Sequence, residues 1–234
     1  MTTDTTPTIM AIGAHHDDNE LVAGTLAGHR EAGWRVVSVV LTNGIMIGGR
    51  PAPEHCGIRE KESLAAAAML GMETEFLRFP ECNFDVTPET RGALLQVLRK
   101  HAPAIVITHA PTDYHRDHIM ACRLTDDAVS LVGSNAIATS APPCLRPRLY
   151  YADTWFTPFV PDTYIDVTAH MPLKLDMLRC HTSQLPADSP KQGDMLDITQ
   201  TRGRGRGIEA GCVYAEAFAF VRALGSVRLQ PLLN

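Results

Sequence analysis

A mostly parallel α/β sheet covered by helices on both faces is the fold this sequence predicts. Three observations carry the prediction. Apolar runs alternate with helical periods along the first 131 residues. The runs are apolar throughout rather than at every second position, as strands buried on both faces require. The polar clusters with chemical potential stand just after such runs, where open parallel sheets bind their ligands. With 234 residues, 45% of them hydrophobic and 20% charged, the chain is read as one domain, 1–234, with a real core.

Residues 8–14 read as a strand, and residues 18–32 as a helix with Leu21, Leu26 and Ala27 on its apolar side. Residues 35–42 (RVVSVVLT) are β-branched and strand-like. Asn43-Gly44 signals a turn or loop. An alanine-rich helix is expected over 57–70, closed by Gly71. A short strand at 75–79 precedes a helix at 88–101 with Thr87 as its N-cap. Residues 104–108 form a buried strand and 117–131 a helix. This βαβα order makes the fold Rossmann-like. Beyond residue 133 the pattern weakens: loop at 134–147, strands at 149–152 and 163–167, a helix at 171–180 and a last helix at 213–224. The stretch 182–207, polar and rich in Gly and Pro, reads as a flexible loop over a site.

The net charge of −5 leaves no electrostatic footprint for nucleic acid and no polybasic surface for membranes. No apolar run nears the roughly 20 residues of a membrane span. Residues 1–7 lack the apolar core of a signal peptide, so a cytoplasmic protein is expected. The six cysteines are scattered without a CxxC pair and read as free thiols, neither a disulfide framework nor a thiolate metal site.

Two clusters carry chemistry: His15-His16-Asp17-Asp18-Asn19-Glu20, after the first strand, and His115-Arg116-Asp117-His118, after the strand at 104–108. His15 and Asp18, three apart across a strand-to-helix turn, can point at one ion, with His118 as a third ligand. Two imidazoles and one carboxylate leave an open position for water, the arrangement of catalytic zinc; the triad also suits ferrous iron or another divalent metal. Asp17 is then placed to take a proton from an activated water. His115, as imidazolium, would stabilise an oxyanion and protonate a leaving amine, with Asp117 holding it in orientation. That set of groups suits amide hydrolysis. Either cluster alone has a plainer reading, as helix-capping acids and surface histidines.

In these motifs the chain resembles the PIG-L (LmbE-like) family of metal-dependent N-acetylglucosamine deacetylases. The resemblance lies in Ala14-His15-His16-Asp17-Asp18-Asn19-Glu20, in His115-Arg116-Asp117-His118, and in Arg59-x-x-Glu62 leading into residues 65–71. It continues in His181-Thr182-Ser183-Gln184 and residues 211–218, and so spans residues 8 to 220. It implies zinc on His15, Asp18 and His118, Asp17 as general base, His115 as general acid and Asp117 as its partner. It also implies hydrolysis of an N-acetyl group from a glucosamine-bearing substrate. Where the family has proline, this chain has His16, which is not counted as a ligand and reads as a substrate contact or a solvent-facing loop residue. Arg59 matches a family position that contacts the sugar or its appendage, against a helix-surface ion pair with Glu62 or a neighbour. Asp113 and Tyr114 are candidate pocket residues, with a bond from Asp113 to a sugar hydroxyl or a loop-shaping role for that Asp.

Arg202, Arg204 and Arg206 alternate with glycines and read as a solvated loop, ahead of a lid over an anionic substrate or a nucleic-acid segment. His29, His55, His101, His109, His170 and His181 are left without a role. The expected activity is zinc-dependent removal of acetate from a soluble N-acetylglucosamine conjugate, either a thiol-cofactor precursor or a natural-product intermediate. One rival is an amidase for a larger acyl group on an amino sugar. The other is a sugar- or nucleotide-binding module, disfavoured for nucleotides because residues 13–18 lack GxGxxG and carry acids where phosphate would sit. Edge strands and an apolar C-terminal helix leave a homo-oligomer open.

Overall fold

The computed structural model describes residues 6–47, 50–187 and 189–222. Strand β1 (Thr8–Gly13) is followed by a 3-10 turn (Asn19–Val22), helix α1 (Ala23–Glu31) and strand β2 (Arg35–Thr42). A short antiparallel pair, β3 (Met46–Ile47) and β4 (Arg50–Pro51), precedes α2 (His55–Leu70) and β5 (Glu73–Phe79). Then come α3 (Pro88–His101), β6 (Ile105–Thr108), α4 (Arg116–Leu131), β7 (Arg148–Ala152) and β8 (Thr163–Asp166). The chain continues through α5 (Met171–Arg179), α6 (Met195–Ala210) and β9 (Ala215–Phe220).

Among the described residues, seven strands form one sheet in the order β5-β2-β1-β6-β7-β9-β8. The first five run parallel, and β9 runs antiparallel between β7 and β8. The continuous apolar character of β1 has a direct cause. Met10 and Ile12 pack with Leu94, Leu98 and Leu124 of α3 and α4, whereas Ile9 and Ala11 pack with Leu26, Ala66 and Met177 of α1, α2 and α5. Alternate side chains of one strand thus fill two cores. From β1 the chain moves outward to β2 and β5, then returns to place β6 on the other side of β1. The carboxyl ends of β1 and β6 therefore flank the crevice where the strand order reverses, the general ligand position of such sheets.

The helix expected from residue 18 starts as a 3-10 turn and becomes α-helical only at Ala23. Asn19 is drawn inward there, its amide donating to Ser38 Oγ and the Val39 carbonyl. Two larger expectations are corrected. Residues 182–207 are not a loop throughout, because 195–210 form α6, capped by Asp194, whose side chain accepts the Asp197 N–H. Gly203 and Gly207 of the Arg-Gly run allow close approach rather than flexibility: a Cβ on Gly207 would lie 2.3 Å from the Val213 carbonyl oxygen. Arg202 and Arg206, one turn apart, both bind the Asp153 carboxylate, and Arg204 donates to the Cys212 and Val213 carbonyls. Neither the lid nor the solvated loop describes them.

The helix expected over 213–224 is instead strand β9, where Ala215 and Ala217 pair with β8 and Phe218 and Phe220 pair with β7. Its last residues, 223–224, lie outside the described residues. The apolar C-terminal segment offered for self-association is thus sheet interior. No helix of the described residues is long and apolar enough to cross a membrane.

Candidate metal centre and active site

The chain leaves β1 through a turn held on all sides. Thr42 donates its N–H and hydroxyl to the Ala14 carbonyl, and the His15 N–H donates to Asp18 Oδ2 at 2.6 Å. Across the crevice, the segment after β6 folds over Asp113, whose Oδ1 accepts the His115 N–H at 2.9 Å. Helix α4 then starts with His118 in its first turn.

These two turns bring the three expected ligands together. His15 Nδ1 lies 3.2 Å from His118 Nε2 and 3.3 Å from Asp18 Oδ2, and His118 Nε2 lies 3.4 Å from Asp18 Oδ1. A tetrahedral ion with ligand bonds of about 2.0–2.1 Å has ligand–ligand edges of about 3.3 Å, so the donor set fits a divalent metal. Both imidazoles are backed by a carboxylate. His118 Nδ1 donates to Asp113 Oδ1 at 2.9 Å, and His15 Nε2 faces Asp117 Oδ2 at 3.5 Å. The bond to Asp113 fixes the His118 tautomer and turns Nε2's lone pair toward the ion, whereas His15 Nε2 makes no hydrogen bond among the described residues and meets Asp117 as a nearby charge.

Two further histidines lie within ligand range, His109 beside Asp18 and His118, and His115 beside His15 and His118. Their hydrogen bonds set them apart. His109 Nε2 accepts the Ala14 N–H at 3.0 Å and lies 3.2 Å from Asp18 Oδ2, and its ring stacks on His118 with centroids 4.1 Å apart, so that nitrogen is already engaged. His115 is the N-cap of α4, with Nδ1 accepting the Asp117 N–H at 3.1 Å. In the neutral ring the proton then sits on Nε2, which makes His115 a donor to a bound molecule rather than a ligand.

The field of the site favours positive charge. Burial works against a charged His15, but Asp18 and Asp117 outweigh it and raise its pKa from 6.5 to about 10. His118 behaves likewise: Asp18 and Asp113 overcome burial and raise it to about 9. Burial also opposes charge on Asp18, yet His118, His109 and His15 hold its carboxyl well below the usual range. The carboxylates that raise both imidazoles would likewise attract a metal cation, whose binding displaces those protons. His115 shifts the other way, lowered by burial and by His15 and His118.

Several expected roles change. Asp117 does not hold His115 through its carboxylate, which is fully buried, accepts the Cys82 N–H at 2.6 Å and faces His15. Of the two roles open to Asp113, the loop-shaping one is seen: its Oδ1 accepts the His115 N–H and faces His118 Nδ1. Arg59 is buried and pairs with neither solvent nor Glu62. It donates to Asp17 Oδ1 at 3.1 Å and to Glu81 Oε1 at 3.3 Å. Glu62 instead accepts from Thr182 and Ser183.

His16 is neither solvent-facing nor a substrate contact. Its ring is 1% exposed, stacks on Phe76, and lies where a Cβ on Gly44 would come within 2.7 Å; Gly44 also has φ +66°. Burial, reinforced by Arg59, lowers its pKa to about 3. Tyr114 remains on the cavity wall and is half exposed.

The cavity has a volume of about 250 Å³ and is lined by both clusters and Arg59. Glu81, Asp153 and Trp155 also line it and were not foreseen. Glu81 carried a usable signal, since it stands just past the carboxyl end of β5, where the same rule places ligand-binding groups.

The sequence profile of the PIG-L family, described as GlcNAc-PI de-N-acetylase, matches residues 10–129, just over half of the chain. This chain belongs to the PIG-L family. A diacetylchitobiose deacetylase of Thermococcus kodakarensis is 29% identical over 189 residues, covering 77% of this chain and 71% of that relative. The crystal structure of the conserved protein TT1542 from Thermus thermophilus superimposes with a TM-score of 0.80 at 30% identity, over 94% of this chain and 99% of that one. The family's scaffold also resembles a protein of different chemistry. A 4-oxalmesaconate hydratase of Pseudomonas putida is 27% identical over 134 residues, spanning 54% of this chain and half of the hydratase.

Proposed function

We propose that this protein is a zinc-dependent hydrolase that removes the N-acetyl group from an N-acetylglucosamine moiety of a soluble conjugate. The observation that carries the reading is that two imidazole nitrogens, of His15 and His118, stand 3.2 Å apart with the two oxygens of the Asp18 carboxylate 3.3 and 3.4 Å from them at the strand-order reversal, with Asp17 on the same cavity wall. Support also comes from the deacetylase names of the family and of the Thermococcus relative. The six cysteines are free thiols, which suits action in the reducing cytoplasm.

His15, Asp18 and His118 would hold the ion, with Asp113 and Asp117 orienting the two imidazoles. A divalent ion there supplies Lewis-acid chemistry, acidifying water and polarising the amide carbonyl. Asp17, fixed by Arg59, takes the proton of the attacking water and returns it to the leaving amine. His115 donates its Nε2–H to the carbonyl oxygen as negative charge gathers there. This assigns His115 electrostatic stabilisation as a neutral donor, where the sequence alone suggested an imidazolium acid.

The test is acetate release by protein of defined zinc loading. The panel holds N-acetylglucosamine, its malate and inositol conjugates, a β-1,4 disaccharide and a UDP-linked sugar. Acetate from a conjugate supports the reading. No acetate from any, with zinc bound, overturns it in favour of a larger acyl amide or of hydration chemistry like that of the Pseudomonas relative.

A further inference from the structure

The segment His181-Thr182-Ser183-Gln184, just past α5, has no part in the chemistry above, yet buried groups hold it along its length. The Gln184 N–H donates to the His181 carbonyl at 3.0 Å and closes a tight turn. Within it, Thr182 Oγ1 and the Ser183 N–H donate to Glu62 Oε1 at 2.8 and 2.7 Å, and Ser183 Oγ donates to Glu62 Oε2 at 2.6 Å. Glu62 is buried and stands one turn after Arg59 on α2, the residue that grips Asp17. At the start of the turn, the buried His181 brings Nε2 within 3.4 Å of Oε1 of Glu20, itself buried two residues past Asp18. The turn is thus tied to the supports of both Asp17 and Asp18.

This anchoring puts Gln184, partly buried, on the wall of the catalytic cavity. The network also orients its amide. The Ser183 hydroxyl proton goes to Glu62, so that oxygen can only accept from Gln184, and the 3.1 Å contact between them is made by Nε2–H. The carbonyl oxygen Oε1 is left with no bond among the described residues. An acceptor on a cavity wall, carried by a side chain whose other amide atom is fixed, is set up for a donor of a bound molecule. The acetamide engages the metal ligands, Asp17 and His115, and Arg59 is committed to Asp17 and Glu81. The donors of the substrate left for Gln184 are therefore the sugar hydroxyls.

We propose that Gln184 is a specificity-determining residue whose Oε1 accepts a hydrogen bond from a hydroxyl of the N-acetylglucosamine moiety. This contact rests on the deacetylase reading above.

The experiment measures acetate release from N-acetylglucosamine and from its 3-, 4- and 6-deoxy analogues by zinc-loaded full chain. Wild type, Gln184→Met and Gln184→Asn are compared, with zinc content and urea unfolding as checks on the fold. Methionine keeps the length of the side chain without its acceptor, and asparagine withdraws the amide by one carbon. In the wild type, one deoxy sugar is expected to show a KM raised about three- to tenfold, the range of one neutral hydrogen bond. Each variant is expected to raise KM for the parent sugar by about the same factor with kcat little changed, and to abolish the penalty of that one deoxy sugar. A wild type indifferent to all three deletions, or variants in which every deletion keeps its full penalty, overturns the contact and leaves the deacetylase reading intact. Variants that lose kcat at unchanged KM overturn it as well, since a purely structural role would act in that way. No acetate from any of the four sugars overturns the deacetylase reading and the contact with it.

Discussion

The Asp117 carboxylate faces His15 Nε2 at 3.5 Å, while the N–H of the same residue donates to His115 Nδ1. One residue thus serves two imidazoles by different groups, and only its side chain serves the metal side. Asp117→Asn is therefore expected to weaken metal binding roughly 10–100-fold, as loss of an orienting partner does elsewhere. Competition with a chromogenic chelator measures it. Unchanged affinity with an altered pH profile of turnover would instead return Asp117 to His115.

Asp17→Ala is expected to keep its metal and lose turnover by about 10²–10⁴-fold, the usual contribution of a positioned base. Metal analysis beside acetate release decides the point. Loss of metal from this variant would make Asp17 a ligand.

The cap on His115 makes a separate prediction. His115→Gln retains an N–H donor and is expected to keep more activity than His115→Ala. Equal loss in the two variants would restore the imidazolium acid.

Arg59 lies between two carboxylates, Asp17 and Glu81, and is 3% exposed. Arg59→Ala leaves both acids without their cation and is expected to cost about 3–5 kcal/mol in urea unfolding. Arg59→Lys should recover only part, since lysine lacks the planar fork that spans two partners. Unchanged stability with a raised KM would make Arg59 a substrate contact alone.

Much of this was readable in the sequence, and for a physical reason. Strand ends in a parallel sheet converge, so acids and imidazoles following the runs at 8–13 and 105–108 had to meet. Thr87 caps α3, and Gly71 takes the left-handed conformation that closes α2. What escaped depends on contacts remote in sequence. The partner of Asp117 is fixed by Cys82, thirty-five residues away. The Arg-Gly run looked flexible because Gly203 and Gly207 pack against Met171 and Val213 instead of showing side chains. In β9 the alternation of residues 215–220 was a strand signal hidden by alanines, which also suit a helix.

Metal affinity should depend on pH with a definite sign. His15 and His118, raised to about 10 and about 9, must each release a proton to bind an ion. Apparent affinity is therefore expected to rise by roughly one to two log units per pH unit through neutrality, levelling off above about 10. Calorimetric titration with zinc in buffers of differing ionisation heat counts the protons. Affinity independent of pH between about 6 and 8 would contradict the raised imidazole values.

The central claim is that His15, Asp18 and His118, and not the neighbouring His109 and His115, hold one divalent ion. X-ray absorption at the zinc edge of the loaded protein tests it most directly. The account predicts one zinc per chain with two imidazoles and oxygen donors at about 2.0–2.1 Å. Three or more imidazoles in the shell, or sulfur scattering at about 2.3 Å, would contradict it.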